Sequence, residues 1–408
     1  MLRSMFTAIS ALQMHQSYLD VVSDNLANAN TPGFKASRVI FQDQYAQILN
    51  GGSAPTATVG GINPTQIGLG VQLGYVTPVF TQGMLQSTGR NLDLAIQGDG
   101  FFMYNSPTGM HYSREGSLQV DANGFMVNGG TGLHIQGWTQ QAGATGPIPT
   151  NSVPGDIHID LNKTLARATS SATLGGNLNS STAVGGTYDV TMGAYDSLGN
   201  PISVQVQFKC TAASTWDWSV TGPTGAAGGG TITFDNQGQI QSPTTFKDAI
   251  TVPGANGAAQ TKITPDMSGI TSLAANSSVS TTNQNGLAAG TVSDILISPN
   301  TGEVYLSYSN GLRELTAQIA MAKFANPSGL MREGHNLYQA GLNSGTPAVG
   351  PANDGGRGAM VSGYTEGSNV DMAQEFTNMI LAERGFQASS RVITTSDEII
   401  QELVNLKR

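Results

Sequence analysis

Residues 371–406 read DMAQEFTNMILAERGFQASSRVITTSDEIIQELVNL, and the spacing of their apolar side chains predicts one long helix. Met379, Phe386, Ile393 and Ile400 fall seven apart, with Phe376 and Val404 at the neighbouring seam position. That interval keeps one stripe of a helix turned towards a partner. The first thirty residues answer it: Met5, Leu12, Leu19 and Leu26 are again seven apart, accompanied by Leu2, Ile9 and Val22. Here a helix over residues 4–28 is expected, ending at Asn28-Ala29-Asn30-Thr31-Pro32-Gly33. Pro32 forces Thr31 away from helical backbone, and Gly33 accepts a positive φ. Two such helices at opposite ends imply that the termini meet each other, or meet the termini of neighbouring copies. A seam of one apolar residue per seven on a helix of about 54 Å is too narrow for one chain to bury well. Burial therefore waits for neighbours, with a helical hairpin inside the chain as the alternative.

Composition narrows the function. Only 11% of the 408 residues are charged, against roughly 25% in ordinary domains, and 52 are glycine. Such a chain is rich in turns, with surfaces of Ser, Thr, Asn and Gln, and its length leaves room for two or three domains. A net charge of −9 without any Lys/Arg cluster argues against nucleic acid as a partner. The single cysteine, Cys210, excludes a disulfide within the chain and a cysteine-built zinc site; it falls in a strand-like run and reads as a packed residue. No run of eighteen apolar residues occurs, so no membrane insertion is expected. Thr7 and Ser10 interrupt the first apolar section and the seven-residue pattern continues past it, so the start reads as a retained helix, not a cleaved signal.

Between the ends the period changes from seven to two. In NLDLAIQ (91–97), Leu92, Leu94 and Ile96 alternate with polar or small neighbours as in a half-buried strand, and Gly98-Asp99-Gly100 is expected to turn it into Phe101–Tyr104. Asp121-Ala122-Asn123-Gly124, Asp196–Asn200 and Asp235–Gly238 each separate two strand candidates. Asp opens such turns by bonding back to the backbone, and Gly takes the left-handed position. Strands are expected at 188–195, 202–210, 216–220 and 231–234, and again at 294–297 and 303–308. Residues 34–49 show no regular alternation and 51–61 read as a loop. The expected fold class is α+β and multidomain: terminal helices pairing as a coiled-coil-like inner core, with two nested antiparallel all-β domains. The helical part takes 1–30 and 366–408, a connecting region 31–70 and 341–365, the first β domain 71–146 and 291–340, and the inserted outer β domain 147–290.

No catalytic constellation emerges. His15, His111, His134, His158 and His335 share no metal-ligand spacing, and neither HExxH nor GxSxG is present. No enzyme activity, cofactor or metal is expected.

Four blocks carry a family resemblance. SDNLANANTPGFK (23–35) resembles the signature that closes the first helix of bacterial flagellar rod and hook proteins, and GSNVDMAQEF onwards (367–406) resembles their C-terminal helix. LDLAIQGDGFF (92–102) and YSREGSLQVDANGFMVNGGTGLHIQGW (112–138) are similar to their first β domain. GGNLNSS (175–181), YDSLGNPISVQVQF (195–208) and the long polar insertion resemble the hook members more than the shorter rod members.

The resemblance implies a structural subunit that polymerises into a curved, flexible tube joining rod to filament, transmitting motor torque as a universal joint. Its helices would line the tube and its β domains project outward. Implied partners are other copies of the chain, the rod proteins, the hook-filament junction proteins, the hook cap, the hook-length control protein and the type III-related flagellar export apparatus. The implied location is the hook of the extracellular flagellum, next to the basal body, reached without a cleaved signal. Assembly is expected to rest on Leu2, Met5, Ile9, Leu12, Leu19, Val22, Leu26, Phe376, Met379, Phe386, Ile393, Ile400 and Val404, and the motif turn on Asn28, Asn30, Thr31, Pro32, Gly33 and Phe34. Two alternatives are a distal rod subunit and a secreted carbohydrate-binding β protein in which Trp138, Trp216 and Trp218 form a sugar platform.

Overall fold

A computed structural model describes residues 2–141, 144, 146–221, 225–246 and 249–406. Helix α1 spans Leu2–Ala27 and helix α2 spans Met372–Leu406. Between them the described residues form strands, turns and loops, with one 3-10 turn at Pro327–Gly329. The Asp371 carboxylate starts α2 by accepting from the amides of Ala373 (2.9 Å) and Gln374 (3.2 Å). Beyond α1 the chain turns through Gly33 at φ +72°, where an added Cβ would come within 2.8 Å of the Glu115 nitrogen. Both the conformation and the close approach call for glycine.

The chain divides into two compact units. The first comprises Met1–Ile159, Ile295–Tyr305 and Leu315–Arg408. Its sheet places His134–Thr139 between Phe101–Ser106 and residues 317–319, and Phe101–Ser106 pairs onward with Gly109–Ser113. Aromatic side chains fill the core, with Tyr112 edge-on to Phe324 at 4.7 Å and Phe80 edge-on to Phe101 at 5.2 Å. The hairpin around 121–124 forms as expected from its turn chemistry. The turn at 98–100 does not make one. Leu94–Gln97 pairs instead with Ala359–Ser362, more than 250 residues away, and is buried on both faces rather than one. Local alternation could not reveal a partner that distant.

Residues 37–50 also depart from their irregular reading, whereas 51–61 lie outside the strands as expected. Ser37–Asp43 pairs with Val71–Pro78, and Ala46–Asn50 pairs with Thr65–Gly68. These ribbons carry apolar side chains on both faces, so the period-two signal is absent; the adjacent residues Ile48 and Leu49, and Tyr75 and Val76, are all exposed.

The second unit comprises Asp160–Asp294 and Leu306–Glu314. Five strands follow one another as a meander: Thr187–Tyr195, Pro201–Ala212, Thr215–Thr221, Gly229–Phe234 and Ile240–Ser242. Alternate residues such as Met192, Val206, Phe208, Trp216, Trp218 and Ile232 point into one core, while Thr191, Gln205 and Ser219 are exposed or half-buried on the other face. A second sheet adds Leu174, Ile263 and Met267 to that core. In it Ser171–Asn177 runs parallel to Thr261–Thr271, so this unit is not purely antiparallel. The reason is topological: the chain leaves after Asn177 to build the five-stranded sheet and re-enters in the same direction, which a long connection permits. Cys210 lies buried within its strand. Trp138, Trp216 and Trp218 are core residues at 2–4% exposure, which removes the sugar platform. Among the described residues no helix is long and apolar enough to cross a membrane.

Candidate assembly site

α1 and α2 lie against each other in antiparallel sense. Thr7, Ala8 and Ala11 share a groove with Ala388, Ser389 and Val392, the His15 ring lies over Gly385, and Tyr18 and Val22 share another groove with Glu375 and Asn378. On α2 the contact face is built from small residues, which meet Met14, His15 and Val22 as well as Ala8 on α1. Ala8, Ala382 and Ser396 are buried, and Gly385 and Ser389 are half-buried beside them. Within the contact, His15 Nδ1 and Glu375 Oε2 are buried with no hydrogen-bond partner among the described residues.

The seven-spaced residues divide between two faces. Val22 is buried, and Met5, Leu12, Leu19, Leu26, Met379, Phe386, Ile393 and Ile400 are half-buried. Ile9, Phe376 and Val404 point away, at 37%, 51% and 64% exposure. The side chain of Leu2 lies outside the described residues. With Phe6, Ile380, Leu381 and Ile399 also exposed, both helices present large apolar side chains outward. The small positions between the seven-spaced ones, Ala382, Gly385, Ser389 and Ser396, were not singled out in the sequence, because apolar periodicity weighs large residues.

The motif turn forms the root of this helix pair. Asn28 bonds back to the Asp24 carbonyl (2.9 Å) and accepts from the Thr31 hydroxyl (3.1 Å), and the Pro32 carbonyl accepts from Asn336 (2.8 Å). Asn30 is exposed, whereas Phe34 is buried with the Arg332 guanidinium 4.7 Å above its ring. Asn25 pairs with both backbone groups of Ser37 at 2.8 Å, and Asn369 accepts from the Ala36 amide (2.8 Å) while donating to the Val79 carbonyl (2.7 Å).

Beneath the turn lies a buried charge cluster. Lys35, Arg114 and Glu366 have side chains at most 3% exposed. Glu366 accepts from Lys35 Nζ and from the Gly83 amide (2.9 Å) on Oε1, and from Arg114 (3.3 Å) on Oε2. Burial pulls the Lys35 ammonium and the Arg114 guanidinium below their usual ranges, and the Glu366 carboxylate partly restores both. Sequence reading missed these residues, since single charges 79 and 252 positions apart carry no periodic signal (114 − 35 and 366 − 114). The one available hint was a lysine directly after the turn in a chain so poor in charge.

The same stretches match known families. Residues 5–35 match the flagella basal body rod protein family, 95–171 the flagellar hook protein FlgE/F/G D1 domain, 160–287 the flagellar basal body protein FlaE D2 domain, and 361–406 the flagellar basal body rod FlgEFG protein C-terminal family. These four matches, in order along the chain, mark an axial protein of the bacterial flagellum. The chain is 36% identical to flagellar hook protein FlgE of Borreliella burgdorferi, over all of both chains. It is 34% identical to that of Salmonella typhimurium (98% of this chain, 99% of the other) and 32% identical to flagellar basal-body rod protein FlgG of Bacillus subtilis over all of both. The chain belongs to the flagellar hook protein family, structural subunits of the hook.

Proposed function

We propose that copies of this chain stack through their terminal helices into a curved tube that carries torque from rod to filament. The observation that carries this reading is the distribution of side chains on α1 and α2. Among their described residues the helices bury only Ala8, Met14, Val22, Asn25, Ala382 and Ser396, and leave Phe6, Ile9, Phe376, Ile380, Leu381, Ile399 and Val404 in water. In isolation that is an unfavourable arrangement, and copies packed side by side remove it. The α1/α2 contact then acts as a coiled-coil-like inner core, with residues 1–30 and 366–408 inside, 31–70 and 341–365 connecting, 71–146 and 291–340 forming the first β layer and 147–290 the outer one. The seven-spaced residues and the motif turn are the assembly residues of this scheme.

A helix pair that is marginal until assembly suits a subunit passed unfolded through the flagellar export apparatus without a cleaved signal. The rod proteins, hook cap, length-control protein and junction proteins are the further partners proposed. Electron microscopy of concentrated protein tests the reading: the wild-type chain forms curved tubes, and Phe376→Ser/Ile380→Ser does not. Tubes formed equally well by that variant would refute the role of these faces. The full-length likeness to a rod protein keeps a second reading, a distal rod subunit, which requires straight tubes.

A further inference from the structure

Three separate stretches of chain meet on Glu366. Its carboxylate takes Lys35, the Gly83 amide and Arg114, and its backbone carbonyl takes the Gly33 amide at 2.7 Å. Lys35 Nζ also donates to the Thr81 carbonyl at 2.7 Å. Residues 33–35 are the exit from α1, and Glu366 lies just ahead of α2. Thr81, Gly83 and Arg114 come from the β-rich part of the same unit. Both helix roots thus meet that β part, and each other, at one residue, whose own strand Tyr364–Glu366 pairs with Leu85–Ser87. The cluster holds two cations on one carboxylate. Loss of the Glu366 charge leaves Lys35 and Arg114 repelling each other out of water, whereas loss of the Lys35 charge leaves a matched pair. Well-packed apolar groups would serve stability as well as a buried ion cluster does. What directional bonds add is position: the carboxylate fixes where each helix leaves the β part. The neighbouring fastenings, Asn25 on Ser37 and Asn369 on Ala36 and Val79, are directional too.

We propose that Glu366 is a positioning residue of the hook subunit, the pin on which the helix pair is mounted, through which load entering the helices reaches the β part. The inference rests on reading the helices as the assembling core.

Hydrogen exchange on the purified, unassembled full chain tests the pin by itself. In Glu366→Gln the Gly33 and Gly83 amides are expected to exchange about 100-fold faster, while the core amides of Ile96 and Phe102 change by less than about 3-fold. Adding Lys35→Met to that variant is expected to recover part of the loss, because one of the two cations is gone. Glu366→Asp keeps the charge but withdraws it by one methylene; it is expected to fold and to speed the Gly83 amide, whose acceptor is the carboxylate, by about 10-fold. Cells carrying Glu366→Asp are expected to build hooks and swim more slowly. The proposal is overturned if Gly33 and Gly83 stay protected in both variants, if Ile96 and Phe102 lose protection equally, or if Glu366→Asp hooks drive swimming as the wild type does. Failure of the wild-type chain to form tubes would strike the assembly reading instead, leaving the amide result to judge the pin.

Discussion

In the turn after Tyr195, the Asp196 carboxylate accepts from the amides of Leu198 (2.9 Å) and Asn200 (2.8 Å) and from the Asn200 side chain (3.0 Å). Burial pulls this carboxyl up, but the donors from Asn200, Leu198 and Gly199 outweigh it and hold it below the usual carboxylate range. Asp196→Ala is expected to destabilise the second unit by about 2 kcal/mol at pH 7, read from the unfolding fluorescence of Trp216 and Trp218. Because the folded carboxyl is more acidic than the unfolded one, its contribution is complete above the ordinary value of about 3.9. It disappears as pH falls through the folded value, so wild type and variant should converge in strong acid; a gap that persists there would contradict the assignment. Gly33 tests the motif turn in a similar way. A methyl group there meets a positive φ and the Glu115 backbone together, so Gly33→Ala is expected to cost more than about 1 kcal/mol in thermal unfolding of the first unit. No change in melting would show that the turn tolerates what its geometry forbids.

The helices are the elements most exposed to a packing test. Ala382 is buried where α2 meets α1, so Ala382→Leu is expected to push the helices apart, weakening their association by about 1–3 kcal/mol and lowering the helical circular dichroism signal. An unchanged signal would mean that the small face is not the contact. These elements also mark how far the sequence could be read. Both long helices and the hairpins at 121–124, 196–200 and 235–238 were legible, because period seven and Asp-to-Gly turns are local signals. Pairing across long separations was not: Leu94–Gln97 finds its partner at Ala359–Ser362, and Ser171–Asn177 finds a parallel one at Thr261–Thr271. The ribbons between 37 and 78 were hidden for another reason, since strands bearing apolar residues on both faces do not alternate. At the proposed assembly site, large seam residues stood out in the sequence. The small residues between them and the Lys35–Arg114–Glu366 cluster did not, as each matters through contacts made by chain folding.

At the scale of the whole molecule, the second unit offers polar, charge-poor sheet faces suited to small, wet contacts that slide. Hooks assembled from a chain lacking residues 160–287 are therefore expected to be straighter and stiffer in electron micrographs. Hooks as curved and pliable as the wild type would refute that role. Everything else depends on the helix pair being incomplete in one molecule. Hydrogen exchange along 376–404, compared between dilute monomer and assembled tube, measures this most directly. Fast exchange in the monomer and strong protection in the tube is the expected result. Equal, strong protection in both would mean that a single chain already completes its own helical core, and assembly would have to be driven by other surfaces.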